Sequence, residues 1–212
     1  MHTNIFIFGD SMAFGCWDAA GGWVQRLNNF LVERFLSNGG KEFYIYNLSI
    51  SGNQTQDIIA RMEPELMPRQ SEGGANIIIF AIGVNDSAFV HSKNDHWVPF
   101  REFEDNLREL IRIAKKFSGK IFFLGLPIID QEIVNPMPWD TDKSYRNGYV
   151  KKYDQSLQTT AKENSIGYIP LFEKLEASGY KKLLHDGAHP NSAGHELIFE
   201  TVRDYLLGNK II

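Results

Sequence analysis

Five stretches of the chain concentrate β-branched and aromatic residues: NIFIF (4–8), EFYIYNL (42–48), NIIIFAI (76–82), KIFFLGL (120–126) and a weaker GYIPL (167–171). Three of them are apolar on both alternating faces, the pattern of strands covered by helices on both sides of a parallel sheet. Between them the period changes. In GWVQRLNNFLVERFLSNGG, residues Trp23, Leu27, Phe30, Leu31 and Phe35 form one helical stripe that stops at Gly39-Gly40. FREFEDNLRELIRIAKKFSG repeats the stripe with Phe103, Leu107, Leu110, Ile111 and Ala114, and its Lys115-Lys116 suits a last turn. Further helices are expected at about 144–164 and 191–207, with a shorter one from Gln54 to about Met62, ending before Pro64. Strands and helices alternate throughout, which predicts a doubly wound α/β sandwich.

The 212 residues fit one domain, taken as 1–212, with no internal repeat or linker. The longest irregular stretch, PIIDQEIVNPMPWDTD (127–142), carries three prolines. A connection that long is expected to be a functional loop or a lid. Composition is that of an ordinary globular chain, 43% hydrophobic and 23% charged. With 22 Lys plus Arg against 26 Asp plus Glu, it lacks the electrostatic footprint of a nucleic-acid or anionic-membrane binder. No apolar run approaches the roughly 18 residues that span a bilayer, so no stable membrane association is expected. Cys16 is the only cysteine and the first residues lack a signal-peptide pattern, so a cytoplasmic location is expected.

In an open parallel sheet, ligands bind beyond the carboxyl ends of the strands. The polar clusters of this chain fall there: Gly9-Asp10-Ser11, then NLSISGN with Gly52, then GVND with Asn85, and finally HDGAHPNSAGH before the last helix. A serine nucleophile needs a base, a group that holds the base, and donors for an oxyanion. Ser11 can be the nucleophile and His189 the base, with Asp186 three residues earlier curling back to hold the imidazole. Gly52 can offer a backbone N–H and Asn85 a side-chain amide to the oxyanion. Asp10 is expected to set the turn that aims Ser11.

These blocks, FGDSMAFG, NLSISGNQTQDIIARM, GVND and DGAHPNSAGH, resemble in order and rough spacing those of the SGNH (GDSL) hydrolase family over nearly the whole chain. Met12 stands where that family usually has leucine. The resemblance implies a flavodoxin-like three-layer α/β/α sandwich around a five-stranded parallel sheet. It also implies Ser11, Asp186 and His189 as catalytic residues, and Ser11, Gly52 and Asn85 as the oxyanion hole. The chemistry implied is hydrolysis of small carboxylic esters through an acyl-enzyme, with no cofactor and no metal.

Two other readings stand beside it. His185, Asp186, His189 and His195 could hold a metal for phosphoester hydrolysis. Alternatively, the loop after the first strand could serve a flavodoxin-like module binding FMN or a phosphate ligand, although it has neither a P-loop nor a G-x-G-x-x-G pattern. His195, within the expected last helix, is expected to lie away from the site. Trp17, Trp23, Phe14, Phe89, Trp97, Met137 and Trp139 are candidates to line a pocket, and short esters or acetylated sugars are the favoured substrates for a domain without a large lid insertion.

Overall fold

The computed structural model describes residues 2–70 and 73–212. Five parallel strands form the main sheet: β1 (Thr3–Gly9), β2 (Phe43–Asn47), β3 (Ala75–Ala81), β4 (Lys120–Leu124) and β5 (Gly167–Ile169). Their spatial order is β2-β1-β3-β4-β5, so the chain runs outward from β1 to β2 and then reverses to build the other half. That order is flavodoxin-like, with its switch point between β1 and β3. Ile5 of β1 lies opposite Ile45 and Ile77, and Phe80 of β3 opposite Phe123. All seven residues of β1 are buried, whereas edge strand β2 leaves Tyr44 exposed.

Right-handed crossovers sort the helices by the direction of each step. The step from β1 to β2 puts α2 (Gly22–Asn38) on one face, where α7 (Ser192–Gly208) later packs on it. The reversed steps put α3 (Thr55–Leu66), α4 (Phe100–Ala114) and α5 (Asn147–Glu163) on the other. Two short helices complete the set: α1 (Ser11–Phe14), a single turn after β1, and α6 (Phe172–Ala177) after β5. No described helix is long and apolar enough to cross a membrane.

Several boundaries differ from the sequence expectation. Helix α3 runs through Pro64 to Leu66, because Pro64 falls in its last turn between the fully buried Met62 and Leu66. The proline ring removes one hydrogen bond there but does not undo that packing. Helix α4 stops at Ala114, so Lys115 and Lys116 follow it. Helix α5 starts at Asn147 instead of about 144, since Lys143–Ser144 pair with Phe89–Val90 in a small antiparallel sheet completed by Asp95–His96. This second sheet was not foreseen.

The Asp86 carboxyl ties the loop after β3 to the start of α3. Its Oδ1 accepts the backbone N–H (3.1 Å) and the hydroxyl (2.5 Å) of Thr55, the first residue of α3. Its Oδ2 has no partner among the described residues. Burial pushes its pKa up to about 7 against those hydrogen bonds. In the unfolded chain the value is about 3.9, so the folded state holds a proton that the unfolded state has already lost. That contribution is full below about pH 4 and disappears as pH rises through 7. Wild-type protein should therefore lose stability relative to Asp86→Asn as pH is raised from about 4 to about 8, read by urea unfolding. Parallel pH profiles for the two proteins would contradict it.

Candidate active site

The site begins where β1 ends. A Cβ on Gly9 would lie 2.6 Å from Ala13 Cβ and 2.8 Å from the Ala81 carbonyl oxygen, so only glycine lets the chain turn there against β3. Asp10 then caps α1, its Oδ1 accepting the Met12 N–H at 3.0 Å. Burial pushes the Asp10 pKa up to about 6. Ser11 is thereby the first residue of α1, a position whose N–H has no acceptor within its helix.

The turn before α7 supplies the other half. Asp186 Oδ1 accepts the backbone N–H groups of Ala188 (3.0 Å) and His189 (2.8 Å). Asp186 Oδ2 faces His189 Nδ1 at 2.7 Å and accepts the Trp17 indole N–H at 3.1 Å. A carboxylate only accepts, so the ring proton sits on Nδ1 and Nε2 is left as an acceptor. Nε2 lies 2.9 Å from Ser11 Oγ. Burial works to raise the pKa of Asp186, but the hydrogen bonds from the His189 ring and the backbone hold it well below the usual carboxylate range.

Gly52 stands at φ +82° with open space where a Cβ would be, so its glycine serves the backbone conformation and not clearance from a neighbour. Asn85 is clamped at both ends of its amide. Its Oδ1 accepts the Tyr145 hydroxyl at 2.6 Å, and its Nδ2 donates to the Asn53 carbonyl at 2.9 Å. The Asn53 carbonyl can only accept, so it sets which end of the amide is Nδ2; the Tyr145 hydroxyl then donates to Oδ1, and Asn85 keeps one N–H unused. Ser11, Gly52, Asn85, Asp186 and His189 line one cleft of about 370 Å³.

Of the aromatic and apolar candidates, Trp17, Trp97, Met137 and Trp139 line this cleft. Trp23 does not: it is buried in the first turn of α2. Phe14 is an exposed surface residue, and Phe89 packs with Tyr149, His91 and His96 at the small sheet. The 127–142 segment is a packed wall. Ile128, Ile129, Val134 and Met137 are buried, and the Asp130 N–H donates to the Gly187 carbonyl at 2.7 Å. Tyr145, Lys143 and Asp140, which also line the cleft, were missed in the sequence, where Tyr145 fell inside an expected helix.

The alternative metal set is dispersed. His195 is buried in α7 with Nε2 donating to the Cys16 carbonyl at 3.2 Å, and His185 stacks on Trp17. Among the described residues, no three His, Cys, Asp or Glu gather in a way that could hold a metal ion.

A family model for the GDSL-like Lipase/Acylhydrolase family matches residues 7–197. The chain belongs to that family. This places it among carboxylic ester hydrolases. It is 25% identical over 150 residues to the isoamyl acetate-hydrolyzing esterase of Saccharomyces cerevisiae, a match covering 65% of this chain and 58% of that protein. It is 21% identical over 201 residues to Esterase TesA of Pseudomonas aeruginosa, covering 94% and 85%. Among solved structures, the acetylxylan esterase Axe2 of Geobacillus stearothermophilus superposes with a TM-score of 0.71 at 21% identity, over 94% of this chain and 91% of that one. A lipase/acylhydrolase from Enterococcus faecalis gives 0.73 at 20%, over 97% and 96%.

Proposed function

We propose that residues 1–212 act as one unit, a serine esterase that cleaves short-chain carboxylic esters through an acyl-enzyme. The observation that carries this reading is the unbroken series Ser11 Oγ, His189 Nε2, His189 Nδ1 and Asp186 Oδ2, with contacts of 2.9 and 2.7 Å. In the first step His189 Nε2 takes the Ser11 proton as Oγ attacks the acyl carbon, and the carbonyl oxygen becomes an oxyanion. The Ser11 and Gly52 N–H groups and the spare Asn85 N–H face that charge. Collapse of the tetrahedral adduct expels the alcohol, which takes the proton from His189. Water then repeats the sequence on the acyl-serine, with His189 accepting its proton and returning it to Ser11 Oγ, and the carboxylic acid leaves. Every proton moves between His189 and a reacting oxygen, so these steps call on no cofactor.

Short acyl groups are supported from two sides. The cleft is small, about 370 Å³, with Trp97, Met137 and Tyr145 in its lining. Two similar proteins, the yeast isoamyl acetate-hydrolyzing esterase and the acetylxylan esterase Axe2, are named for acetyl esters.

Ser11→Ala should fold normally and lose about 10⁶ in kcat on a p-nitrophenyl acetate assay. Turnover near the wild-type rate would overturn the mechanism.

Tyr145 acts one step behind the oxyanion, as a positioning residue. Without its hydroxyl Asn85 Oδ1 loses its donor, and only the Nδ2 bond to the Asn53 carbonyl still holds the amide that presents the spare N–H. Removing an oxyanion donor outright costs about 10²–10³ in kcat, so Tyr145→Phe should cost about tenfold or more in kcat with KM little changed. Affinity for a boronic acid, which mimics the tetrahedral adduct, should fall in parallel. A loss confined to KM, with boronate affinity intact, would assign Tyr145 to packing alone.

A further inference from the structure

Asp186 accepts from four donors, and three of them belong to its own turn. Oδ1 takes the backbone N–H groups of Ala188 and His189, and Oδ2 takes the His189 ring N–H at 2.7 Å. The fourth is the Trp17 indole N–H, which reaches the same Oδ2 at 3.1 Å from a residue 169 positions away. Among the described residues it is the only donor to Asp186 from outside residues 186–189.

Holding Trp17 there is costly. It sits at φ +65°, a left-handed conformation that is an outlier for a bulky residue, and its side chain gains little from burial because it is 61% exposed. The chain on both sides of it is pinned instead. Cys16 donates its N–H to the Ser11 carbonyl at 3.0 Å, and its own carbonyl accepts from His195 Nε2 at 3.2 Å. The Asp18 carboxylate accepts the Gly22 N–H at 3.1 Å and pairs with Arg26. Strained backbone that its surroundings over-determine, beside reacting groups, points to function. From this fixed backbone the indole stacks on His185, centroids 5.6 Å apart, and stands nearly perpendicular to His189 at 6.2 Å.

Two donors on one oxygen share its charge. The hydrogen bond from Trp17 weakens the pull of Oδ2 on the Nδ1 proton, and with it the preference of Asp186 for an imidazolium over a neutral ring. Only the neutral ring can take the Ser11 proton. Lining the cleft requires none of this, since Trp139 lies as near His189, at 5.9 Å, without a hydrogen bond to Asp186. We infer that Trp17 is a positioning residue that fixes Asp186 Oδ2 against His189 and, by sharing that oxygen, keeps His189 neutral at lower pH than Asp186 alone would allow. This inference deepens the esterase reading above and rests on it.

Other ionisable groups surround the pair. Asp10 and His195 act on His189 through space, Cys16 and Tyr145 feel the charge of Asp186, His185 lies against the indole, and Asp140 and Lys143 line the cleft. All of them are retained in Trp17→Phe, which keeps an aromatic side chain and removes the N–H. In that variant the acidic limb of the kcat/KM profile for p-nitrophenyl acetate should move to higher pH by about half a unit. Activity well below the limb should then fall about threefold more than activity on the plateau. Trp139→Phe should leave the limb in place. In Ser11→Ala, adding Trp17→Phe should move the His189 Nδ1 proton resonance downfield, because Oδ2 then serves that ring alone, a readout that needs no turnover. A limb that stays or moves to lower pH, a limb that Trp139→Phe moves as far, or an unmoved Nδ1 resonance overturns the role of Trp17. If hydrolysis still depends on Ser11 in those cases, the esterase reading survives; hydrolysis that persists in Ser11→Ala removes both.

Discussion

The 2.9 Å hydrogen bond between Ser11 Oγ and His189 Nε2 joins residues 178 positions apart, and most of the architecture can be read as what that bond requires. Ser11 follows the strand at the switch point of the sheet, which brings it to the carboxyl edge with its backbone fully buried behind it. His189 arrives at the same edge from the far side of the sheet, after β5, on a turn that ends at the Asn191 cap of α7. Because α7 returns to the face that α2 already covers, its N-terminus faces the first residues after β1. An Arg26–Asp18 ion pair, with Arg26 also reaching Glu196 at 2.8 Å and the Ser192 hydroxyl at 2.9 Å, fastens the two segments together.

Three carboxylates near this junction show how environment sets the state of one residue type. Asp186 receives hydrogen bonds from two backbone N–H groups, an imidazole and an indole, so its charged form is favoured. Asp10 and Asp86 are buried with fewer donors, and burial dominates, moving them up to about 6 and about 7. Asp186, the carboxylate in contact with His189, is thus the one whose charged form is most strongly favoured, and in the proposed reaction that charge stabilises the imidazolium. The other two serve as braces, one capping α1 and one holding the start of α3.

The main sheet was legible in the sequence because β1, β3 and β4 are buried on both faces, and such strands write uninterrupted apolar runs such as NIIIF. Two of the residues that gather in the cleft were legible because each follows such a run, Ser11 after β1 and Asn85 after β3, whereas Asp186 and His189 were legible from their spacing in HDGAHP. What could not be read depends on contacts between distant segments. The small sheet has strands of two residues each, too short for any periodicity, and exists because Phe89–Val90 finds partners on both sides. Tyr145 lies in an otherwise polar stretch, KSYRNGY, and its role comes only from meeting Asn85, 60 residues away. Trp17 and Trp139 could be guessed as pocket residues, but so could Trp23, and nothing local separates a tryptophan in the first turn of a core-facing helix from one left open beside His189.

The central claim is that one serine, activated by one histidine, forms a covalent bond to the acyl group. A fluorophosphonate reacts with such a serine and leaves a stable adduct that peptide mass mapping can locate. A single adduct per chain, on Ser11, is expected, and His189→Ala should slow its formation drastically. An adduct on any other residue, or undiminished labelling of Ser11 when His189 is removed, would contradict it.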